Sequence, residues 1–252
     1  MTIAARGLTD VGQRRDHNED SFLVDETLGL FVVADGMGGH AGGGTASRIA
    51  VETIRERVRR AREREPASFS AAKPLDEHPA RTVLREAVES ACSTIFHAAQ
   101  RDPSLAGMGT TVTAALVLEG DGAFVAHVGD SRCYLLRNGR IYQVSEDHSL
   151  VNEQLKAGAI TLEEARTSRF RNIITRSVGF EEAVLVDLMG LALAPGDRLL
   201  LCSDGLTNMV DDATLLQVAS SAALEEVPRE LVERANEAGG EDNVTVVAVE
   251  IR

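Results

Sequence analysis

The sequence predicts an α+β protein. Three observations carry that expectation: apolar runs of strand length separated by short turns, two long blocks of helical periodicity set apart from them, and short helical pieces in the middle and C-terminal regions. At about 150 residues per domain, 252 residues suit one or two domains, and 44% hydrophobic content is enough for a sizeable core.

The elements follow in order. Apolar runs predict strands at Ser21–Val24 and Gly29–Ala34, joined through Asp25-Glu26-Thr27-Leu28. Ala46, Ile49, Ala50, Ile54 and Val58 then recur at helical spacing, so a helix is expected over about 43–64. Its Arg59–Arg64 run reads as a solvated face in preference to a contact for an acidic partner. Pro66, Pro74 and Pro79 punctuate a surface loop over 65–79, and Val83, Leu84, Ala87, Val88, Ala91 and Ile95 predict a second helix at about 80–100. Strands follow at Val112–Leu118, Ala123–Val128, Arg132–Leu136 and Arg140–Val144. From 148 to 180 the pattern changes to short helical pieces around Gly158, where Thr161-Leu162-Glu163-Glu164 has the form of a capping box. Strands at Val184–Leu193, Arg198–Cys202 and Val244–Ile251 complete the sheets. Helices are expected over about 212–219 and 228–238, the second opening on Pro228 and stopping at Gly239-Gly240. Glu119-Gly120-Asp121-Gly122, Asn138-Gly139 and Pro195-Gly196-Asp197 have hairpin turn chemistry, so the sheets should be largely antiparallel. Residues 1–252 are expected to form a single domain with an excursion over about 148–180.

Charge removes several functions. Twenty-six Lys and Arg against thirty-nine Asp and Glu leave −13, which repels nucleic-acid phosphates and anionic bilayers. No apolar run approaches the roughly 18–20 residues of a membrane helix, and the start lacks signal-peptide regions. A cytoplasmic, monomeric protein is expected. Cys92, Cys133 and Cys202 are far apart and read as buried thiols, while Lys73 and Lys156 fit neither a P-loop nor a Schiff base.

The acidic residues say more. Asp20 precedes one predicted strand and Asp35 ends the next, so a hairpin brings them to one sheet edge. Asp130 and Asp204 end strands and Asp242 precedes one, so antiparallel pairing allows all five to converge there. Any one aspartate at a strand end is ordinarily a turn or cap residue; five together change the reading. Three of them adjoin glycine, which admits a backbone carbonyl close to a ligand. Oxygen-only donors suit Mg²⁺ or Mn²⁺ better than zinc. Two such ions sharing a water are suited to phosphate-ester hydrolysis.

The ordered motifs carry a resemblance. Asp10-x-Gly12-x-x-Arg15-x-x-Asn18-Glu19-Asp20-Ser21, Val33-Ala34-Asp35-Gly36-Met37-Gly38-Gly39-His40, Gly109-Thr110-Thr111, Val128-Gly129-Asp130-Ser131-Arg132, Cys202-Ser203-Asp204-Gly205-Leu206 and Glu241-Asp242-Asn243-Val244-Thr245 span nearly the whole chain. Together they resemble the bacterial metal-dependent protein phosphatases of type 2C. Asp147–Val151 and Arg171–Arg176 resemble the ends of that family's flap. The resemblance implies a four-layer αββα sandwich of two antiparallel sheets with a binuclear Mn²⁺ or Mg²⁺ centre at one end. It implies that Asp35 bridges two ions, with the Gly36 carbonyl on one and Asp204 and Asp242 on the other. Asp20 would act through water, Asp130 with Asp204 would hold a third ion, and Arg15 would take the substrate phosphate, where a bidentate fork outperforms an ammonium. The implied substrates are phosphoserine and phosphothreonine proteins, with serine/threonine kinases or their substrates as partners. Met37 stands where many eukaryotic relatives have a histidine proposed as general acid, which leaves that acid unassigned and His40 as a weak candidate acting through water.

Two rival readings compete with this one. Gly129-Asp130-Ser131 has the look of an esterase nucleophile block, but that esterase type needs a late histidine and the last one here is His148. The alternative of a non-catalytic phosphoprotein-binding module keeps the fold and loses the chemistry, and intact carboxylates speak against it. His127 reads as a packed strand residue, and His148 as a cap at the start of the flap.

Overall fold

Strands covered on both faces form the middle of this molecule. The computed structural model describes residues 2–38, 42–70, 74–120 and 122–252. The elements run β1 (Ile3–Asp10), β2 (Ser21–Asp25), β3 (Leu30–Ala34), β4 (Gly36–Met37), α1 (Gly42–Arg64), α2 (Pro79–Arg101), β5 (Gly109–Thr110), β6 (Val112–Val117), β7 (Gly122–Val128), β8 (Arg132–Arg137) and β9 (Arg140–Gln143). They continue with α3 (Leu150–Lys156), α4 (Leu162–Thr167), β10 (Asp187–Ala192), β11 (Arg198–Cys202), the single turn α5 (Asp204–Thr207), α6 (Asp212–Ser221), α7 (Val227–Glu237) and β12 (Val244–Ile251). Among the described residues the longer strands make two five-stranded antiparallel sheets, ordered β1-β12-β11-β8-β9 and β10-β7-β6-β3-β2, and β4 pairs with β5 alone.

Period-two alternation assigns successive side chains to different layers. Phe31, Val33, Val125, Leu199, Leu201 and Val247 fill the space between the sheets. Leu30, Val32 and Leu116, in the opposite phase, meet Ile54 of α1 and Leu84 and Val88 of α2. On the other side Tyr134, Leu200 and Val246 meet Leu215 of α6 and Leu231 of α7. Each fully buried side chain of this kind contributes about 1.5–3 kcal/mol, so both sheets require helices outside and the order is αββα. The two long helices follow the predicted spacing. α2 is opened by His78, whose Nδ1 accepts from the Ala80 N–H at 3.2 Å, with Pro79 in its first turn. No helix of the described residues is long and apolar enough to cross a membrane.

Three expectations need correction, and one strand was not foreseen. Pro195-Gly196-Asp197 is not a hairpin: β10 pairs with β7 and β11 with β8 and β12, so this turn carries the chain from one sheet to the other. β1 was not anticipated, because the alternation in Ile3–Asp10 is diluted by Ala, Gly and Arg; pairing along all eight residues with β12 makes it a strand. His148 is no helix cap; Ser149 takes that place, accepting from the Asn152 N–H. The strand expected from Val184 begins only at Asp187. The 65–79 loop contains 3-10 turns at Pro66–Phe69 and Leu75–Glu77, and the Thr161–Glu164 capping box is formed. Lys73, Asp121 and His40 lie outside the described residues.

Candidate active site

Register brings the five aspartates to one end of the sandwich. Ser21 pairs with Ala34, which sets Asp20 opposite Asp35. Val33 pairs with Thr113 and Val112 with Val128, so the Asp130 loop leaves β7 at that same end. In the second sheet Cys202 pairs with both Arg132 and Val246, which aligns Asp204 with Asp130 and Asp242.

Crowding shows in their ionisation. Burial raises the Asp35 pKa well above the usual carboxylate range, and Asp20, Asp204, Asp130 and Asp242 raise it further. Asp130 is raised likewise, by burial and then by Asp204 and Asp147. Asp204 is raised by burial and by Asp242, against hydrogen bonds from Asp35 and Asn208 that lower it. Burial pushes Asp20 up to about 7, although Thr245 and Ser203 hydroxyls oppose the shift. These hydroxyls donate to Asp20 Oδ2 at 2.5 and 2.8 Å, and Asp20 Oδ1 is buried with no partner. Asp130 Oδ1 and Glu19 Oε1 are buried without partners too. Buried carboxylate oxygens left in this condition cost free energy unless a cation or ordered water meets them. The donor set therefore fits a hard divalent ion.

Among the described residues no group of three or more His, Cys, Asp or Glu side chains is placed so that it could hold a metal ion as it stands. The Asp242 carboxylate is instead turned to Arg15, whose Nη2 donates to Oδ2 at 2.6 Å. Arg15 is about half exposed at the mouth of the cleft. Gly36 is tightly enclosed: a Cβ there would lie 2.2 Å from the Gly43 carbonyl oxygen, so only glycine lets β4 approach the start of α1.

Several supporting residues escaped the sequence reading. Asn243 fastens the loop that carries Arg15, accepting from the Glu19 N–H at 2.8 Å and donating to the carbonyls of Val11 and His17. Thr111 accepts from the Asp35 N–H at 2.9 Å and bonds the Ser131 hydroxyl at 2.7 Å. Ser131 is thereby fully buried and is no nucleophile. Glu19, Ser203, Thr111 and Thr245 all stand within the quoted motifs, so adjacency was the available signal; their bonding was not.

An αββα sandwich with acidic oxygen donors gathered at one end defines a class of metal-dependent hydrolase. The sequence profile described as Protein phosphatase 2C matches residues 12–244, and the chain belongs to that family. It is an enzyme, a protein phosphatase. "Serine/threonine phosphatase stp" of Listeria monocytogenes is 39% identical over 246 residues, covering 96% of this chain and 93% of that protein. The solved structure of the Mycobacterium tuberculosis serine/threonine phosphatase PstP/Ppp is 34% identical, with TM-score 0.88 and full coverage, 100%, of both chains. The catalytic domain of PstP in complex with 2 manganese ions is 34% identical, with TM-score 0.85 over 99% of each chain.

Proposed function

We propose that this chain is a Mn²⁺- or Mg²⁺-dependent hydrolase of phosphoserine and phosphothreonine in proteins, working as one catalytic unit with residues 148–180 as its flap. Its substrates would be serine/threonine kinases or proteins they phosphorylate. The observation that carries this reading is the convergence of five aspartates from remote segments, two of them with a buried oxygen that no protein group satisfies. The names of the Listeria and Mycobacterium relatives and the manganese ions of PstP support it.

Asp35 would hold two ions together, with the Gly36 carbonyl, Asp204 and Asp242 as the remaining protein ligands. Asp130 with Asp204 would hold a third. Asp20, fixed by Ser203 and Thr245, would orient a water alongside Glu19. Five aspartates and Arg15 sum to −5 + 1 = −4, which two divalent ions neutralise; a third makes the site +2, attractive to a phosphate monoester of about −1.5 to −2. When bound, such ions supply Lewis-acid stabilisation and a water of lowered pKa. Arg15 would fork onto two phosphate oxygens and fix the ester for in-line attack. Its exposure leaves it reachable, and phosphate would displace Asp242 from it. Both ring nitrogens of His127 and of His148 are engaged within the protein, and neither is assigned the leaving-group proton.

The test is hydrolysis of p-nitrophenyl phosphate and a phosphothreonine peptide with Mn²⁺, with chelator, and by Asp204→Ala with Mn²⁺. Turnover is expected only in the first. Turnover by the chelated protein would exclude this mechanism, and none in any arm by a folded protein would favour the phosphoprotein-binding module.

A further inference from the structure

We propose that His148 is a positioning residue that clamps the peptide before Asp130 to both ends of the flap, so that the Asp130 carboxylate and the flap move as one unit. This rests on the reading of Asp130 as a cation ligand. Both polar groups of Gly129 are held by His148: the Gly129 N–H donates to Nδ1 at 3.0 Å, and the His148 N–H donates to the Gly129 carbonyl at 2.8 Å. Because Nδ1 accepts, Nε2 carries the proton, and it donates to Asp187 Oδ2 at 3.1 Å. Asp187, the first residue of β10, also accepts from Arg176 Nη1 through Oδ1 at 2.6 Å. The Thr175 N–H closes the circuit on the His148 carbonyl at 2.8 Å. The imidazole thus joins the end of β7 to the start of β10, and the His148 backbone and Asp187 hold the far root of the flap to the same residue.

The surroundings leave this unit little freedom. Gly129 has φ +110°, and a Cβ there would lie 2.5 Å from Thr111 Cγ2, so the peptide is backed by the residue that also supports Asp35. On the other side Arg132 of β8 forks onto Asp147, with Nε to Oδ1 at 2.9 Å and Nη2 to Oδ2 at 2.6 Å. The flap's start is therefore tied to both sheets. Asp130 Oδ1, next in chain to the clamped peptide, is one of the buried oxygens without a protein partner. A neutral imidazole suits the position because it offers an acceptor and a donor on opposite sides of one rigid ring. His127, its ring centroid 4.9 Å from that of His148 and tilted by 38°, has both nitrogens engaged as well, on Thr113 and the Glu146 carbonyl, but it bonds neither Gly129 nor Asp187.

Two substitutions separate the bonds. His148→Asn keeps an acceptor near Nδ1 and loses the donor to Asp187; His148→Gln keeps the donor and loses the acceptor for Gly129. Each full-length variant is measured by hydrogen–deuterium exchange of residues 148–176 under chelation and by calorimetric Mn²⁺ titration, with Asp130→Ala marking the Asp130-dependent binding. His148→Asn should speed exchange at the flap roots about tenfold with little change in Mn²⁺ affinity, and His148→Gln should weaken the Asp130-dependent binding about tenfold, as loss of a buried bond predicts. Asp187→Ala, at a partly exposed position, removes the acceptor from His148 Nε2 and should reproduce the exchange pattern of His148→Asn if the imidazole itself proves too buried to replace. Wild-type exchange in His148→Asn and Asp187→Ala overturns the clamp. Absence of any Asp130-dependent step in the wild type removes the cation reading, while the exchange measurement still decides the clamp.

Discussion

At the end of the sandwich away from the cleft, Asp197 receives Arg137 Nε at 2.8 Å and Nη2 at 2.5 Å, and Glu250 receives Arg198 and Arg252. At the cleft end Asp20, Asp35, Asp130 and Asp204 crowd together while Arg15 bonds Asp242. The ionisation follows. Burial pushes Asp197 up, but Arg137 and the Ala194 N–H outweigh it and leave its pKa lowered; Arg252 and Arg198 lower Glu250. Asp20, Asp35, Asp130 and Asp204 are raised, by burial first and by neighbouring carboxylates in addition. One end thus neutralises its acids with guanidinium groups, and the other is arranged for charge that the chain does not supply.

The strongest way to break this contrast is Asp204→Ala. It should lower phosphatase turnover about a thousandfold or more, if Asp204 is the ion ligand proposed above. Under chelation the same variant should melt above the wild type, since a buried repulsive carboxylate is gone; a lower melting temperature would mean that the cleft acids are ordinary structural groups. Next in size is the metal. A hundredfold excess of Mn²⁺ over its Kd should stabilise the protein by about 3 kcal/mol per site, roughly 6–12 °C in Tm. Differential scanning calorimetry with Mn²⁺ and then chelator checks this.

The contrast can be sharpened with a group of opposite charge. If burial at the cleft end disfavours any uncompensated charge, a cation there should be disfavoured too, and burial with His148 nearby does push His127 down to about 4 from 6.5. Between those values the unfolded chain binds the extra proton, so the stability held above pH 6.5 is lost as pH falls toward 4. The loss is about 3 kcal/mol at most, and urea unfolding across that window should be flatter for His127→Gln. The smallest effect belongs to the far end. Asp197→Asn should cost about 2 kcal/mol by stranding Arg137, read as a lower Tm with kcat/KM unchanged.

Legibility differed from element to element. β11 and β12 were predicted to the residue, since apolar runs between aspartates and turn residues leave little choice of boundary. α1 and α2 differed from expectation by a residue or so at either end. β1 was hidden because its alternation is weak and its partner lies at the other end of the chain. The Pro195–Asp197 turn was misread because turn chemistry reports a reversal of direction and not which sheet receives the next strand. At the site, the acids and Arg15 stood out by type and position, while Ser203, Thr245, Asn243 and Thr111 act through hydrogen bonds that no spacing reveals.

Local pattern alone determined the α+β class, most of the longer strands and helices and the identity of the acidic residues, because periodicity and turn chemistry act within a few residues. Tertiary structure decided which oxygens are buried without a partner, that Arg15 rests on Asp242, and that His148 joins the Asp130 loop to the flap. Those outcomes depend on side chains brought together from distant parts of the chain, where burial and neighbouring charge exist only after the sheets have packed.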